Sequence, residues 1–436
     1  MTITIIGGGL AGCEAAWQAL RKGCKVVLYD MKPVSFSPAH NSENLAELVC
    51  SNSFRSDDAE SAVGLLKEEM RRCDSLIMNV AEKCKVPAGK ALAVDRELFA
   101  REITSILHDH PDIEIVREEI STIPEPGKDP IILATGPLTS EKLTDSLIKL
   151  TGRERLAFYD AIAPIVDVES LNMDVVYSKS RYDDGPGDYL NCPFDKEKYL
   201  AFINELEKAE YVPLKDFEKP KYFEGCLPIE VINSRGEDTL RFGPMKPVGL
   251  PDPRTGKDPY AVVQLRQENK EKLTYNMVGF QTKLTYKEQQ RIFRMIPGME
   301  NAVFVRYGSI HRNTFICSPE LLLPTLEFRK RNDLILAGQL SGVEGYVESA
   351  AMGLLAGINS VRKINGLPAT VPPAETALGA LVRHLTESDP ARFQPSNVNF
   401  GLFPPWEKKV PKRLRGQKRK EAGLAALQIW MEQAGL

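Results

Sequence analysis

At 436 residues the chain exceeds what one hydrophobic core commonly organises, so two or more domains are expected. Its 43% hydrophobic and 26% charged content is that of an ordinary water-soluble globular protein. A net charge of −3 excludes a global attraction to polyanions and confines any nucleic-acid contact to a local patch.

The eight cysteines, at 13, 24, 50, 73, 84, 192, 226 and 317, form no C-x-x-C pair and lack clustered histidines. That pattern speaks against a zinc site, any other metal centre and a redox dithiol, and the expectation is reduced thiols in a cytoplasmic protein. Met1 to Ile6 has no basic leader and runs straight into glycines, so a signal peptide is not expected. No apolar run approaches membrane-spanning length, and no membrane partner is expected.

Thr2 to Ile6 is apolar and β-branched, Gly7-Gly8-Gly9-Leu10-Ala11-Gly12 follows, and an alanine-rich helical stretch leads to a second strand, Lys25 to Asp30. Gly7, Gly9 and Gly12 match G-x-G-x-x-G: the first glycine permits the tight turn, the second admits a pyrophosphate to the backbone, and the third lets helix and strand pack closely. Gly8, Leu10 and Ala11 complete the loop, whose N–H groups and helix dipole favour an anion. Asp30, 18 residues beyond Gly12 (30 − 12), is placed to hold a ribose hydroxyl. Alone, this segment leaves FAD and NAD open.

Asp95-Arg96-Glu97-Leu98-Phe99 opens a helix with a capping Asp, read first as a core helix. Ile131 to Gly136 is a strand ending Ala-Thr-Gly and resembles the second glycine motif of flavoproteins, with Gly136 close to the cofactor. Residues 155 to 300 alternate short strands, proline-rich loops and the amphipathic stretch Lys196 to Lys208, which reads as an inserted domain. A further strand, Leu334 to Leu336, leads to Gly338, Gln339, Gly342 and Tyr346 ahead of a small-residue helix reaching Asn359. In flavoproteins that strand commonly ends Gly-Asp, and the helix aims its amino terminus at the flavin; Gln339 departs from the Asp. Beyond Pro372 the pattern is helical, and Lys408, Lys409, Lys412, Arg413, Arg415, Lys418, Arg419 and Lys420 fall within thirteen positions. Such a run is either a phosphate-binding arm or a solvated tail.

The expected architecture is α/β: a discontinuous Rossmann-type FAD-binding domain with an inserted α+β domain. Its parts are residues 1–155 (FAD-binding, first part), 156–300 (inserted domain), 301–370 (FAD-binding, second part) and 371–436 (helical and basic).

Leu48-Val49-Cys50-Ser51-Asn52-Ser53-Phe54-Arg55-Ser56-Asp57, together with Phe223-Glu224-Gly225-Cys226-Leu227-Pro228-Ile229-Glu230, resembles the folate- and FAD-dependent tRNA (uracil-54) methyltransferases, the TrmFO (Gid) family. Met277 to Leu284, His311 to Thr314 and Ala337 to Tyr346 are similar to it too, so the likeness spans the chain. The MnmG (GidA) flavoproteins, which modify the wobble uridine, share Ala11 to Ala16; they are longer at the carboxy terminus, and 436 residues leaves no room for that region. The resemblance implies FAD as cofactor, methylenetetrahydrofolate as one-carbon donor, NAD(P)H as reductant and the T-loop of tRNA as substrate.

Carbon 5 of uracil is a poor nucleophile until a group adds at carbon 6, a task suited to a thiolate. By resemblance Cys226 adds to carbon 6 and Cys50 takes the carbon 5 proton, with exchange of the two roles as the alternative. The other six cysteines are read as small buried hydrophobes. Tyr346 is a candidate to stack on flavin or pterin, His311 to approach folate, and Lys283 and Arg312 to meet carboxylate or phosphate; a structural role is the competing reading for each. The competing functions are a small-molecule flavin oxidoreductase, a flavoprotein of the MnmG type and a non-catalytic RNA-binding flavoprotein. NADH against NADPH, tRNA against ribosomal RNA and the oligomeric state stay open.

Overall fold

Thr2–Ile6, whose three isoleucines are buried, occupies the middle of a six-stranded sheet. It runs parallel to Lys25–Tyr29 on one side and to Ile131–Leu133 on the other. Ile113–Val116 lies parallel outside Lys25–Tyr29, and Arg331–Leu336 parallel outside Ile131–Leu133. Glu327–Phe328 closes that edge in antiparallel pairing. One strand of the sheet therefore returns to Ile131–Leu133 some two hundred residues later in the chain. This is a computed structural model, and it describes residues 2–152, 156–181, 187–213, 222, 227–406 and 410–436.

The intervening chain builds a second, antiparallel sheet of six strands: Tyr177–Ser178, Tyr189–Phe194, Ala261–Gln267, Thr274–Met277, Ile165–Asp167 and Phe304–Arg306, in that order. Helices Lys196–Glu207 and Tyr286–Phe293 supply its cover, and Phe194, Tyr199, Phe202, Phe280 and Phe293 form a core of its own. Leu156–Ile162 and Ser309–Phe315 pair antiparallel as a two-stranded ribbon at the two crossings between the sheets. The result is a Rossmann-type parallel sheet interrupted by an α+β unit.

Helix Leu10–Leu20 packs against the long helix Tyr346–Ile364. A Cβ at Gly353 would stand 2.1 Å from the Ala11 carbonyl oxygen, and one at Gly357 2.7 Å from that of Ala15. The small residues of the second helix thus serve backbone-to-backbone approach, which draws both helix amino termini to the same end of the sheet.

The terminal helix Arg415–Ala434 places Leu427, Trp430 and Ala434 in the core of the nucleotide-binding unit, and Trp430 Nε1 donates to Thr370 Oγ1 at 2.8 Å. It corrects one reading of the basic run. Arg419 is buried: its guanidinium lies 3.9 Å from the Trp406 ring centroid and donates to the Pro404 carbonyl at 2.5 Å. Lys412, Arg413, Arg415 and Lys418 stay exposed. Among the described residues no helix is long and apolar enough to cross a membrane. Arg419→Ala is expected to destabilise the fold by about 1–3 kcal/mol in urea titrations, whereas Lys418→Ala stays within about 0.5 kcal/mol.

Candidate active site

A cleft with about 1130 Å³ of empty volume, part of it open to solvent, runs along the carboxyl ends of the parallel strands. Ligands of open α/β sheets bind in that position. Gly7, Gly8, Gly9, Leu10, Ala11, Asp30, Gly136, Gly338, Gln339 and Tyr346 all line it. Gly12 and Gly342 do not. Gly12 sits beneath the loop, where a Cβ would come 1.8 Å from the Gly7 carbonyl oxygen, and Gly342 packs under Phe393 with φ +97°.

The bareness of the lining suits a dinucleotide. A side chain on Gly9 or Gly136 would meet no protein atom and would stand in the cleft instead. At Gly8 a Cβ would come 2.2 Å from Asp30 Oδ2, so glycine there admits the carboxylate. Asp30 is buried, and its Oδ1 accepts from Lys32 N at 2.8 Å.

Helix capping points the same way. Ser61, Ser75, Asp95, Ser140, Asp195, Thr285 and Thr376 each satisfy the first turn of the helix they precede. Gly9 and Gly345, which precede the two helices aimed at the cleft, offer no side-chain cap. Those uncapped N–H groups and helix dipoles are suited to anionic ligand groups. Gln339, in the place of the usual Asp, donates from Nε2 to Glu344 Oε2 at 2.6 Å and so braces its own turn. Burial, with Asp160 nearby, pushes the Glu344 carboxyl well above the usual carboxylate range.

Cys50 is half-buried at the cleft's edge, on the loop leading to strand Ser53–Ser56. The Tyr346 hydroxyl accepts from Cys50 N at 2.7 Å and from Ser51 N at 3.1 Å. From the antiparallel sheet, Arg266 donates to Asn52 Oδ1 at 2.9 Å and to Ser51 Oγ at 2.7 Å, and Asn52 donates to the Gln267 carbonyl at 2.9 Å. Arg55, at φ +62°, pairs with the fully buried carboxylate of Glu348. Buried Lys67 donates to the carbonyls of Phe54 and Arg55 at 3.3 and 3.2 Å. Burial pulls its amine down to about 8. Arg96, at the start of the helix read as core, pairs with Glu268 at 3.0 Å and lies in the field of Tyr346 and Cys50. Burial, together with the neighbouring Cys50, raises the Tyr346 phenol.

Cys226 and its Phe223 to Gly225 neighbours lie outside the described residues. Glu230 is described and buried; it accepts from Thr282 Oγ1, and burial raises its carboxyl to about 7. Lys283 extends over the rings of Tyr211 and Tyr222 at 4.5 and 5.8 Å, beside the start of that motif. His311 holds Ser309 Oγ at 2.9 Å, and burial, with Arg306 and His40 nearby, lowers its pKa. Cys13, Cys73, Cys84 and Cys192 are buried thiols raised by burial, in keeping with a packing role. Among the described residues no cluster of His, Cys, Asp and Glu could hold a metal. Arg266 and Glu348 went unnoticed in the sequence, and Arg96 was read only as part of a helix start; nothing local marks their roles, since each pairs with a distant segment.

A Rossmann-type nucleotide fold with glycine cradle, strand-end acid and two converging helix amino termini defines the class: a dinucleotide-binding α/β protein with a cysteine beside the cleft. Residues 2–368 match the family described as glucose inhibited division protein A. Over 430 residues the chain is 70% identical to the methylenetetrahydrofolate--tRNA-(uracil-5-)-methyltransferase TrmFO of Desulfotalea psychrophila, covering 99% of this chain and 97% of that protein. It is 58% identical to the TrmFO of Pelobacter propionicus, covering 99% and 95%. The solved structure of Aquifex aeolicus GidA superposes with a TM-score of 0.72 at 18% identity, covering all of this chain and 74% of GidA. The chain belongs to the glucose inhibited division protein A family and to its TrmFO methyltransferases.

Removing the Tyr346 hydroxyl strands two backbone donors, so Tyr346→Phe is expected to cost about 1–3 kcal/mol in chemical denaturation. Glu230 gives a pH signature: its folded pKa, about 7, exceeds its ordinary value of 4.5. The folded state therefore binds the extra proton, and this contribution is full below pH 4.5 and lost as pH rises through about 7. Glu230→Gln should flatten that decline, on the order of 3 kcal/mol, in denaturation midpoints measured at pH 5 and pH 8.

Proposed function

We propose that this chain is a methylenetetrahydrofolate- and FAD-dependent tRNA (uracil-54) methyltransferase that makes 5-methyluridine in the T-loop with NAD(P)H as reductant, in the cytoplasm. The observation that carries the reading is the placement of Cys50, tied to Tyr346 at the start of a helix that faces the nucleotide cleft. The full-length likeness to TrmFO proteins supports it.

FAD, when bound, supplies a carrier for the one-carbon unit and the electrons that reduce it to methyl. Gly7 to Ala11 and the first helix amino terminus would hold its pyrophosphate, Asp30 a ribose hydroxyl, and Gly136, Gly338, Gln339 and Tyr346 its flavin end, with Gly12 and Gly342 supporting the two loops from beneath. Cys226 adds through Sγ to carbon 6 of the uracil, which makes carbon 5 nucleophilic. Cys50 takes the proton from carbon 5 after that carbon has gained its substituent, and expulsion of the Cys226 thiolate restores the ring. The target base must leave the folded T-loop to reach these groups. In this reading residues 1–155 and the parallel-sheet part of 301–370 form the FAD-binding domain, 156–300 together with the strand Phe304–Arg306 the inserted domain, and 371–436 a helical segment whose exposed Lys412, Arg413, Arg415 and Lys418 face RNA phosphates.

Incubating the protein with FAD, NADPH, unmodified tRNA and labelled methylenetetrahydrofolate should yield labelled ribothymidine on nucleoside analysis. Cys226→Ala and Cys50→Ala should each lower that yield by about a hundredfold or more, equivalent to at least about 2.7 kcal/mol of transition-state stabilisation. With 5-fluorouracil RNA, Cys50→Ala should retain the covalent adduct and Cys226→Ala lose it; the reverse pattern exchanges the two roles, and absence of labelled ribothymidine refutes the activity.

A further inference from the structure

A ladder of aromatic rings leads from the core of the antiparallel sheet out to solvent. Buried Phe293 packs on Phe304 at 6.4 Å, Phe304 stacks on Tyr307 at 5.4 Å, and Tyr307 stacks on Tyr286 at 4.9 Å. The two outer pairs are nearly parallel, at 22° and 21°, whereas the core pair Phe280–Phe293 meets edge to face at 72°. The ladder ends at Tyr286, which is 60% exposed.

The ladder is rigid where it meets solvent. Gln289, fully buried on the helix that carries Tyr286, donates to the Gly308 carbonyl at 2.9 Å and accepts from Gly308 N at 2.8 Å, which fixes the turn bearing Tyr307. Gln290 adds a hydrogen bond to the Tyr307 hydroxyl. A platform already ordered loses little entropy when a flat ligand settles on it.

Its position and charge identify that ligand. Arg306, which precedes Tyr307 in the chain, lies in the field of Cys50 and Tyr346, so the segment that carries the ladder has one residue facing the cysteine loop. Lys287 is exposed next to Tyr286, while the acid beside it, Glu288, is held by Arg291 at 2.7 Å. A flat aromatic face with an exposed lysine beside it suits a nucleobase with its phosphate. We propose that Tyr286 and Tyr307 form a base-stacking platform for an unpaired nucleotide of the RNA substrate flanking the one that enters the cleft. This inference rests on the RNA methyltransferase reading above.

The test is equilibrium binding of tRNA to flavin-loaded wild type, Tyr286→Ala and Tyr286→Phe over a range of salt. Stacking predicts that Tyr286→Ala binds about 5- to 100-fold more weakly and Tyr286→Phe within about twofold of wild type. The salt slope should not move, because no cation is lost. Flavin content and RNA-independent NADPH oxidation should match wild type in both variants. Tyr286→Trp should report contact directly through quenching of its fluorescence on addition of tRNA. Wild-type affinity in Tyr286→Ala with no quenching in Tyr286→Trp overturns the platform and leaves the methyltransferase reading intact. A wild-type dimer that Tyr286→Ala dissociates in sedimentation would likewise overturn it, marking the surface as a contact between copies. Wild type that neither binds nor methylates tRNA refutes the underlying reading instead.

Discussion

The hydroxyl of Tyr346 is the junction on which the site depends. It accepts from two consecutive backbone N–H groups, Cys50 and Ser51, and belongs to the first residue of the helix whose amino terminus faces the nucleotide cleft. Any shift of that helix along its axis would move the cysteine with it. The helix is in turn held by direct backbone approach to the Leu10–Leu20 helix at Gly353 and Gly357. Nucleotide cradle and Cys50 loop are therefore one mechanical unit.

The antiparallel sheet holds the same loop from its other side. Arg266 and Gln267 engage Ser51 and Asn52 through side-chain and backbone hydrogen bonds, and Glu268 pairs with Arg96. The last two residues of one strand and the residue that follows them thus meet the cysteine loop and the Arg96–His108 helix. Strand pairing alone cannot bind the two sheets to each other; these buried polar contacts do so, and they leave a cleft edge exposed for substrate. Charge-assisted hydrogen bonds of this kind are stronger than neutral ones and are costly to break singly.

The glycine loop, its flanking strands and Asp30 were legible because their constraints are local: a tight turn, a close approach and a strand-end acid all fall within thirty consecutive residues. The strand at 131–133 and the apolar half, 334–336, of the strand Arg331–Leu336 were legible as apolar runs ahead of glycine. The basic run misled at Arg419, since a list of charges carries no information on helical phase, and only the packed helix turns that one side chain onto Trp406. Tyr346 was picked out for its place at a helix start, but its bond to a loop 296 residues earlier was not foreseeable.

The dinucleotide-binding class and the interrupted parallel sheet were readable from the residues in order, because each rests on short-range stereochemistry or on motifs that stay contiguous, and family-like motifs singled out Cys50 and Cys226 among the eight thiols. Folding settles which cations lie near Cys50, which helix termini stay uncapped at the cleft, and which aromatic rings align on the antiparallel sheet. Those are contacts between segments far apart in the chain, and their partners are chosen by packing and by the need to pair buried polar groups, neither of which leaves a mark at the residue concerned.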